Sequence, residues 1–402
     1  MKPNGAITIR QARGTAFGNL SVGADGSAYQ AFQERKVAKV LVVAPNGSVR
    51  TLSATGTGVA VGVTAGAGGS AYLTTADDAA ATTSVHVITS AGISDPFVIP
   101  GYARGGVVVA PNGTAYQLSE YSSGLDEKSY ISTITPTGVV TKDFDGEFGY
   151  FGSGDSLQVA ADGTGYVVIF DYPSGPVRWA VAHPDGEVTL VPQPAGTDVL
   201  DYTFEIGPDN KLYAYSFFDP AYTVSPAGAT TILPNSSGAL ELEFGPTGTP
   251  FIAQLSGSST QFVNISTGAE SATIPGGNQG DFDRLTIGSD GTVFVKAYAG
   301  TNPGDTAEVS VLAGTAAGAT IASFTDLGNT AYVTPAGGGV GYVTVYDIAS
   351  DTTKVWKLSS NGAEQLDTFS GMAVGGVAFG GNGKLYLTTS ADAQTQLHIL
   401  DA

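Results

Sequence analysis

The sequence predicts an all-β chain of repeated four-stranded sheets, and three observations carry that prediction. A hairpin phrase recurs nine times at near-constant spacing. A second glycine turn falls between successive copies of the first. The runs between turns are β-branched or aromatic and too short for helices. A four-stranded unit of roughly 40–50 residues, repeated in tandem, is the signature of a β-propeller blade.

The phrase is clearest in VVVAPNGTAYQL, Val107 to Leu118. Pro111 presets its own φ for the second position of a turn, Asn112 tolerates the third, and Gly113 takes a positive φ at little cost. A type I turn followed by a left-handed glycine is a standard short hairpin connection. The nine copies end at Tyr29, Tyr72, Tyr116, Tyr166, Tyr213, Phe251, Phe294, Tyr342 and Tyr386, between 38 and 50 residues apart. The second turn places Gly47, Gly92, Gly138, Gly186, Gly228, Gly268, Gly318 and Gly362 between them. Each repeat therefore holds four strands.

After Tyr386 the chain offers one more strand, QLHILDA, and ends, whereas KPNGAITI at the start reads as a second-type turn followed by a strand. The expectation is a single propeller domain over 1–402, excised from a longer chain, whose N-terminal strand completes the last blade. That closure would remove exposed sheet edges. The count is nine blades, with eight as the alternative because the copy ending at Tyr342 is irregular. A ring of blades packs mainly on neighbours and so escapes the roughly 250–300-residue ceiling for one core.

Composition excludes several classes. Of 402 residues 56 are Gly and 20 Pro, yet 42% are hydrophobic, so a core is available. Seventeen Lys and Arg against 36 Asp and Glu give a net charge of −19, which argues against nucleic acid and against docking on anionic lipid. There is no Cys, hence no thiol chemistry, disulfide or Cys-ligated zinc. No apolar run approaches the roughly 18 residues of a membrane span, and the first residues lack a signal-peptide core.

The pattern of apolar strand, then Pro/Ala-Asp/Asn-Gly, then small-x-Tyr resembles the NHL-repeat group of propellers, with streptogramin lyases and gluconolactonase-like hydrolases related in style. APNGTAYQ and VVAPNGSV also resemble propeller domains of large actinobacterial cell-surface proteins. The resemblance covers nearly the whole chain, but its motif specifies turns and packing rather than chemistry.

Both regular turns fall at one end of every sheet, and the more variable connections at the other, where binding residues usually sit. The longest connection between blades is read as a loop, DFDGEFGYFGSGD. It holds Asp143, Asp145 and Glu147 beside Phe144, Phe148, Tyr150 and Phe151. The acids suit calcium, and the aromatics suit a sugar or aromatic ligand. The competing reading is that the aromatics cap the gap between blades and the acids face water. A second group, Asp155, Asp201, Glu205, Glu241, Glu243, Asp281 and Asp283, falls on or before first strands. In lactonase-like propellers acids so placed bind one divalent metal, which for this chain implies Ca or Mg as a possible cofactor. Asp155, Glu205, Glu243, Asp281 and Asp283 are the metal candidates. Glu205 and Glu243 are the best pair, because each stands two residues before its turn glycine. Arg104 and Arg284 precede first strands, where either could pair a channel acid or hold an anionic ligand; for Arg284, directly after Asp283, local charge balance is the default. The three histidines, His86, His183 and His398, belong to third strands, away from the axis where a lyase base would stand.

The expectation for function is a non-enzymatic extracellular or cell-wall platform that binds a protein or glycan partner, as a monomer. The alternative is a divalent-metal-dependent hydrolase or lyase using carboxylates in the central channel.

Overall fold

The computed structural model describes residues 13–401 other than 57, 124–125, 136–137, 149–156, 171–176, 196–201, 278–284, 300–305, 380–383 and 392–393. Among them, nine successive antiparallel sheets span 15–53, 59–100, 102–145, 147–192, 203–232, 239–275, 285–328, 330–370 and 372–401. Each runs up and down through its strands in chain order, so the chain is all-β with the sheet architecture of a β-propeller. In the ninth sheet, Met372–Ala373 and Ala378–Phe379 share one edge of Lys384–Ala391, and Gln394–Asp401 takes the other. That sheet is three strands deep among the described residues. The N-terminal strand expected to complete it lies outside them.

The chain divides into two compact units. One is Met1–Gln193 with Asn210–Leu212 and Val224–Thr230; the other is Pro194–Asp209, Tyr213–Thr223 and Thr231–Ala402.

The repeated phrase folds as its residues dictate. Gly113 N–H donates to the Ala110 carbonyl and Ala110 N–H to that of Thr114, both at 2.8 Å. Gly113 sits at φ +92°. Asn112 Oδ1 accepts the Thr114 N–H at 2.9 Å. Asp25, Asp162 and Asp290 do the same for Ser27, Thr164 and Thr292. In the fifth copy, GPDNKLY, Asn210 itself takes the left-handed position at φ +62°, which Asn tolerates better than most residues.

The tyrosine that closes the phrase ties one sheet to the next turn. In the first unit the hydroxyls of Tyr29, Tyr116 and Tyr166 donate to the carbonyls of Gly69, Gly163 and Asn210 at 3.0, 2.6 and 2.7 Å. Core layers then lie between successive sheets rather than at one centre. Tyr29, Val40 and Leu73 pack between the first and second sheets, and Tyr116, Ile131 and Val167 between the third and fourth. In the second unit Tyr213, Leu242 and Ile252 fill the layer between the fifth and sixth.

A further repeat governs the passage from one sheet to the next. Thr83, Ser129, Thr260 and Thr353, all on third strands and all fully buried, donate to the carbonyls of Gly101, Gly146, Gly276 and Gly371 at 2.6–2.8 Å. These glycines have φ between +84° and +110°. A Cβ on Gly101 would stand 2.7 Å from the Glu120 carbonyl oxygen, so the position admits no side chain.

Candidate functional site

The first strands of the fifth and sixth sheets, Thr203–Ile206 and Ala239–Phe244, carry the acids that break the repeat's apolar pattern. Both belong to the second unit. Side chains alternate along a strand, so Glu205 shares a face with Thr203. The hydroxyl of Tyr215, the last residue of the second strand Leu212–Tyr215, donates to Glu205 Oε1 at 3.4 Å. The Leu242 N–H bonds the same phenolic oxygen, which ties this tyrosine to the sixth sheet's first strand. Burial, and then the charge of Glu243, push the Glu205 carboxyl up to about 7, while the Tyr215 hydrogen bond pulls the other way. Burial and the charges of Glu205 and Glu241 raise the Tyr215 phenol. Glu241 Oε2 accepts the Leu285 N–H at 2.6 Å, which fixes the start of the seventh sheet's first strand, Leu285–Ile287.

The charge of Glu243, at the equivalent position of the next sheet, raises the Glu205 carboxyl. Asp155, Asp201, Asp281 and Asp283 lie outside the described residues, as does Arg284. Among the described residues no three His, Asp or Glu side chains converge as a protein-held metal would need.

On the same unit a cleft of about 300 Å³ opens between these sheets, lined by Thr203, Tyr215, Ser216, Phe217, Phe218 and Leu240. Phe218 is 70% exposed and meets Phe217 edge to face, with ring centroids 5.1 Å apart. Its N–H is held by Ser216 Oγ at 3.1 Å, so the loop is shaped locally rather than by core packing. The sequence reading passed over this loop. The signal was present in YAYSFFDPAY, where two adjacent aromatics interrupt the alternation between a second and a third strand.

The segment read as a loop over 143–155 is corrected over its first part. Asp143, Phe144 and Asp145 end the strand Gly138–Asp145, and Glu147 and Phe148 already begin the next sheet. Alternation explains the placement. Phe144 turns inward against the core cluster of the third and fourth sheets, Phe148 is 3% exposed within it, and Asp145 faces water. Asp143 Oδ2 takes an exposed ion pair from Lys128 at 3.1 Å. Gly146, at φ +110°, lets one residue serve as the whole connection. The two phenylalanines therefore pack against the core layer of the third and fourth sheets. Tyr150 and Phe151 lie outside the described residues.

Arg104 does pair an acid. Its Nε donates to Glu120, whose other oxygen accepts the Phe148 N–H. The histidines keep to third strands as expected. His86 is fully buried, with Nδ1–H donating to the Ser94 carbonyl at 3.1 Å and Nε2 without a partner in its pocket. His398 stacks on Phe369 at 4.0 Å and its Nε2 meets Thr389 Oγ1 at 2.9 Å. His183 opens its turn, its N–H donating to the Glu187 carbonyl at 2.8 Å. Lys296, which sequence reasoning missed, is 3% exposed; its ammonium donates to the Ala331 carbonyl at 2.8 Å and lies 5.6 Å from the Tyr298 ring centre. Tyr298 in turn accepts the Ala331 N–H, so this lysine ties the seventh sheet to the eighth.

No family model matches the chain, and no curated protein matches it. Solved structures of similar fold include one described as a eukaryotic initiation factor, at 10% identity and TM-score 0.43, covering 90% of this chain and 91% of that one. Another is a streptogramin B lyase, at 12% identity and TM-score 0.32, covering 70% and 90%. A third is dihydro-heme d1 dehydrogenase NirN, at 15% identity and TM-score 0.37, covering 82% and 71%. Likenesses this distant lend nothing to a functional reading.

Proposed function

We propose that this protein is a binding module, a rigid single-propeller platform that takes its ligand at the variable end of its sheets. The observation that carries this reading is Phe218, an aromatic ring mostly in water at the mouth of a cleft that also offers Thr203, Ser216 and Tyr215. Concave sites that pair a few polar groups with aromatic surface are where ligands bind. The regular turns at the other end supply stiffness, so the cleft's geometry comes preformed. The resemblance to NHL-like domains of actinobacterial surface proteins supports an extracellular or cell-wall setting. The test is binding to glycan and peptide arrays by the wild-type chain and by Phe218→Ala. Ligands captured by the first and lost by the second support the reading; equal capture removes the cleft from it.

A second reading is favoured by Glu205, since a carboxyl raised by burial and by the charge of Glu243 suits acid–base work or a divalent ion. A thermal melt with EDTA, then with millimolar calcium or magnesium, tests it. A ligand at about 100 times its dissociation constant adds roughly 2.7 kcal/mol. An unchanged midpoint argues against a resident ion.

A further inference from the structure

No residue that lines the cleft at Phe218 carries a formal charge. Its walls combine aromatic rings with hydroxyl groups. Phe218 is 70% exposed and Phe217 half-buried, and they meet edge to face at 5.1 Å, which leaves most of the Phe218 ring in water. Thr203 lies exposed at the start of the strand Thr203–Ile206, and its hydroxyl can both donate and accept. Ser216 Oγ accepts the Phe218 N–H at 3.1 Å and keeps its own proton to give. Tyr215 contributes its ring, since its hydroxyl donates to Glu205 and its phenolic oxygen takes the Leu242 N–H.

We infer that this cleft takes a neutral sugar ring, a chain-terminal pyranose laid on Phe218 with its hydroxyls directed to Thr203 and Ser216. The inference rests on the binding-module reading and names its ligand class. A pyranose carries C–H groups on its ring faces and hydroxyls on its rim. The face of an aromatic ring is its negative side and attracts weakly positive C–H groups, while rim hydroxyls exchange hydrogen bonds with hydroxyl side chains. A purely apolar occupant would take water from the Thr203 hydroxyl and return no hydrogen bond. An acidic sugar would approach a chain of net charge −19 with no cation in the lining to receive it. A cleft of about 300 Å³ stands at the lower end of ligand pockets, which suits one terminal residue rather than several consecutive sugars. At the efficiency of ordinary small ligands, an occupant of about a dozen non-hydrogen atoms binds on the order of 1 mM.

The probes are the methyl glycosides of glucose, galactose, mannose and N-acetylglucosamine. Two controls stand against them: tetrahydropyran, the same ring without hydroxyls, and methyl glucuronide, a sugar with an ionised carboxylate. Titration by saturation-transfer NMR on the full chain reads each probe, with the wild type, Phe218→Ala and Thr203→Val. The expected result is that at least one neutral glycoside binds on the order of 1 mM and more tightly than either control. Phe218→Ala should weaken that glycoside several-fold, up to about tenfold. Thr203→Val should weaken it roughly three- to tenfold through the lost hydrogen bond and leave tetrahydropyran unchanged. If tetrahydropyran binds as tightly as the best glycoside and depends on Phe218, the cleft remains a binding site and the sugar assignment is overturned. Tighter binding of methyl glucuronide than of every neutral glycoside also overturns it. So does a glycoside whose affinity neither substitution changes, since it binds elsewhere. If no glycoside binds at about 20 mM, well above the expected affinity, the sugar proposal is overturned, and the array experiment alone judges the binding-module reading. Circular dichroism checks that each variant is folded; both replaced side chains are exposed, and should Phe218→Ala misfold, Thr203→Val carries the test.

Discussion

Tyr116 and Tyr215 stand on second strands, both buried, both bonded through their hydroxyls, and they do opposite things. Tyr116 gives its proton to neutral acceptors, the Gly163 carbonyl at 2.6 Å and that of Ala182 at 3.2 Å. Tyr215 gives its proton to a carboxyl group that burial and a second carboxylate have made reluctant to ionise. The first belongs to the turn end of its sheet, where the hydroxyl is held by backbone carbonyls. The second belongs to the other end, where the repeat breaks. The lesson is that one residue type at one kind of strand serves cohesion or chemistry according to what faces it.

The largest expected effect probes the cohesive side. Tyr116→Ala empties a fully buried ring site and should cost on the order of 3–5 kcal/mol. Tyr116→Phe keeps the ring and leaves two carbonyls without their donor, at about 1–2 kcal/mol. Chemical denaturation of the two variants separates packing from hydrogen bonding. A Tyr116→Phe variant as unstable as Tyr116→Ala would mean the hydroxyl, not the ring, holds the third sheet to the fourth.

Glu205 should show the opposite sign. Its folded pKa is raised from the ordinary 4.5 to about 7, so the native chain binds more protons than the unfolded one between those values. Its contribution is most favourable below about pH 4.5 and is lost as pH rises through 7. Glu205→Gln should therefore stabilise the second unit by up to about 3 kcal/mol at pH 8, and change little at pH 4. A destabilised variant at pH 8 would mean that the ionised carboxylate has a compensating partner.

His86 sharpens the contrast from the first unit. Burial holds its pKa below the ordinary 6.5, with the Ser94 hydrogen bond opposing. Here the unfolded chain binds the extra proton, so stability is present above about pH 6.5 and lost as pH falls below it. His86→Gln should flatten that acid limb without touching the limb set by Glu205. Midpoint-against-pH curves for the wild type and both variants check it; a His86→Gln curve as steep as the wild type's would assign the acid limb to other groups.

The turn end was legible because its residues are there for local reasons. Asn112 and Gly113 are required by one turn's backbone, and no distant contact changes that. The pairing of Glu205 with Glu243 was also legible, since equal offsets from Gly207 and Gly245 make neighbours of successive sheets. Phe144 and Phe148 were misplaced because the single glycine between them, Gly146, does the work expected of a loop. The serine and threonine bonds to Gly101, Gly146, Gly276 and Gly371 were missed because a hydroxyl inside a strand looks, in sequence, like any alternating polar residue. Phe217 and Phe218 were missed for a related reason: an aromatic beside a strand reads as core until its exposure is known.

The smallest effect on stability falls at Phe218, and there a small effect is the informative one. Its ring is 70% exposed and its backbone is held by Ser216, so removing the ring takes little from any core layer. Phe218→Ala should change the denaturation midpoint by no more than about 0.5 kcal/mol. Tyr116→Ala should unfold the chain readily yet, where it folds, leave the cleft's lining intact. If Phe218→Ala costs as much as a core substitution, the ring is packed in solution, the cleft is closed, and the two ends of the sheets differ less than their tyrosines suggest. If it costs nothing and ligand capture is lost, cohesion and recognition occupy opposite ends of the same sheets.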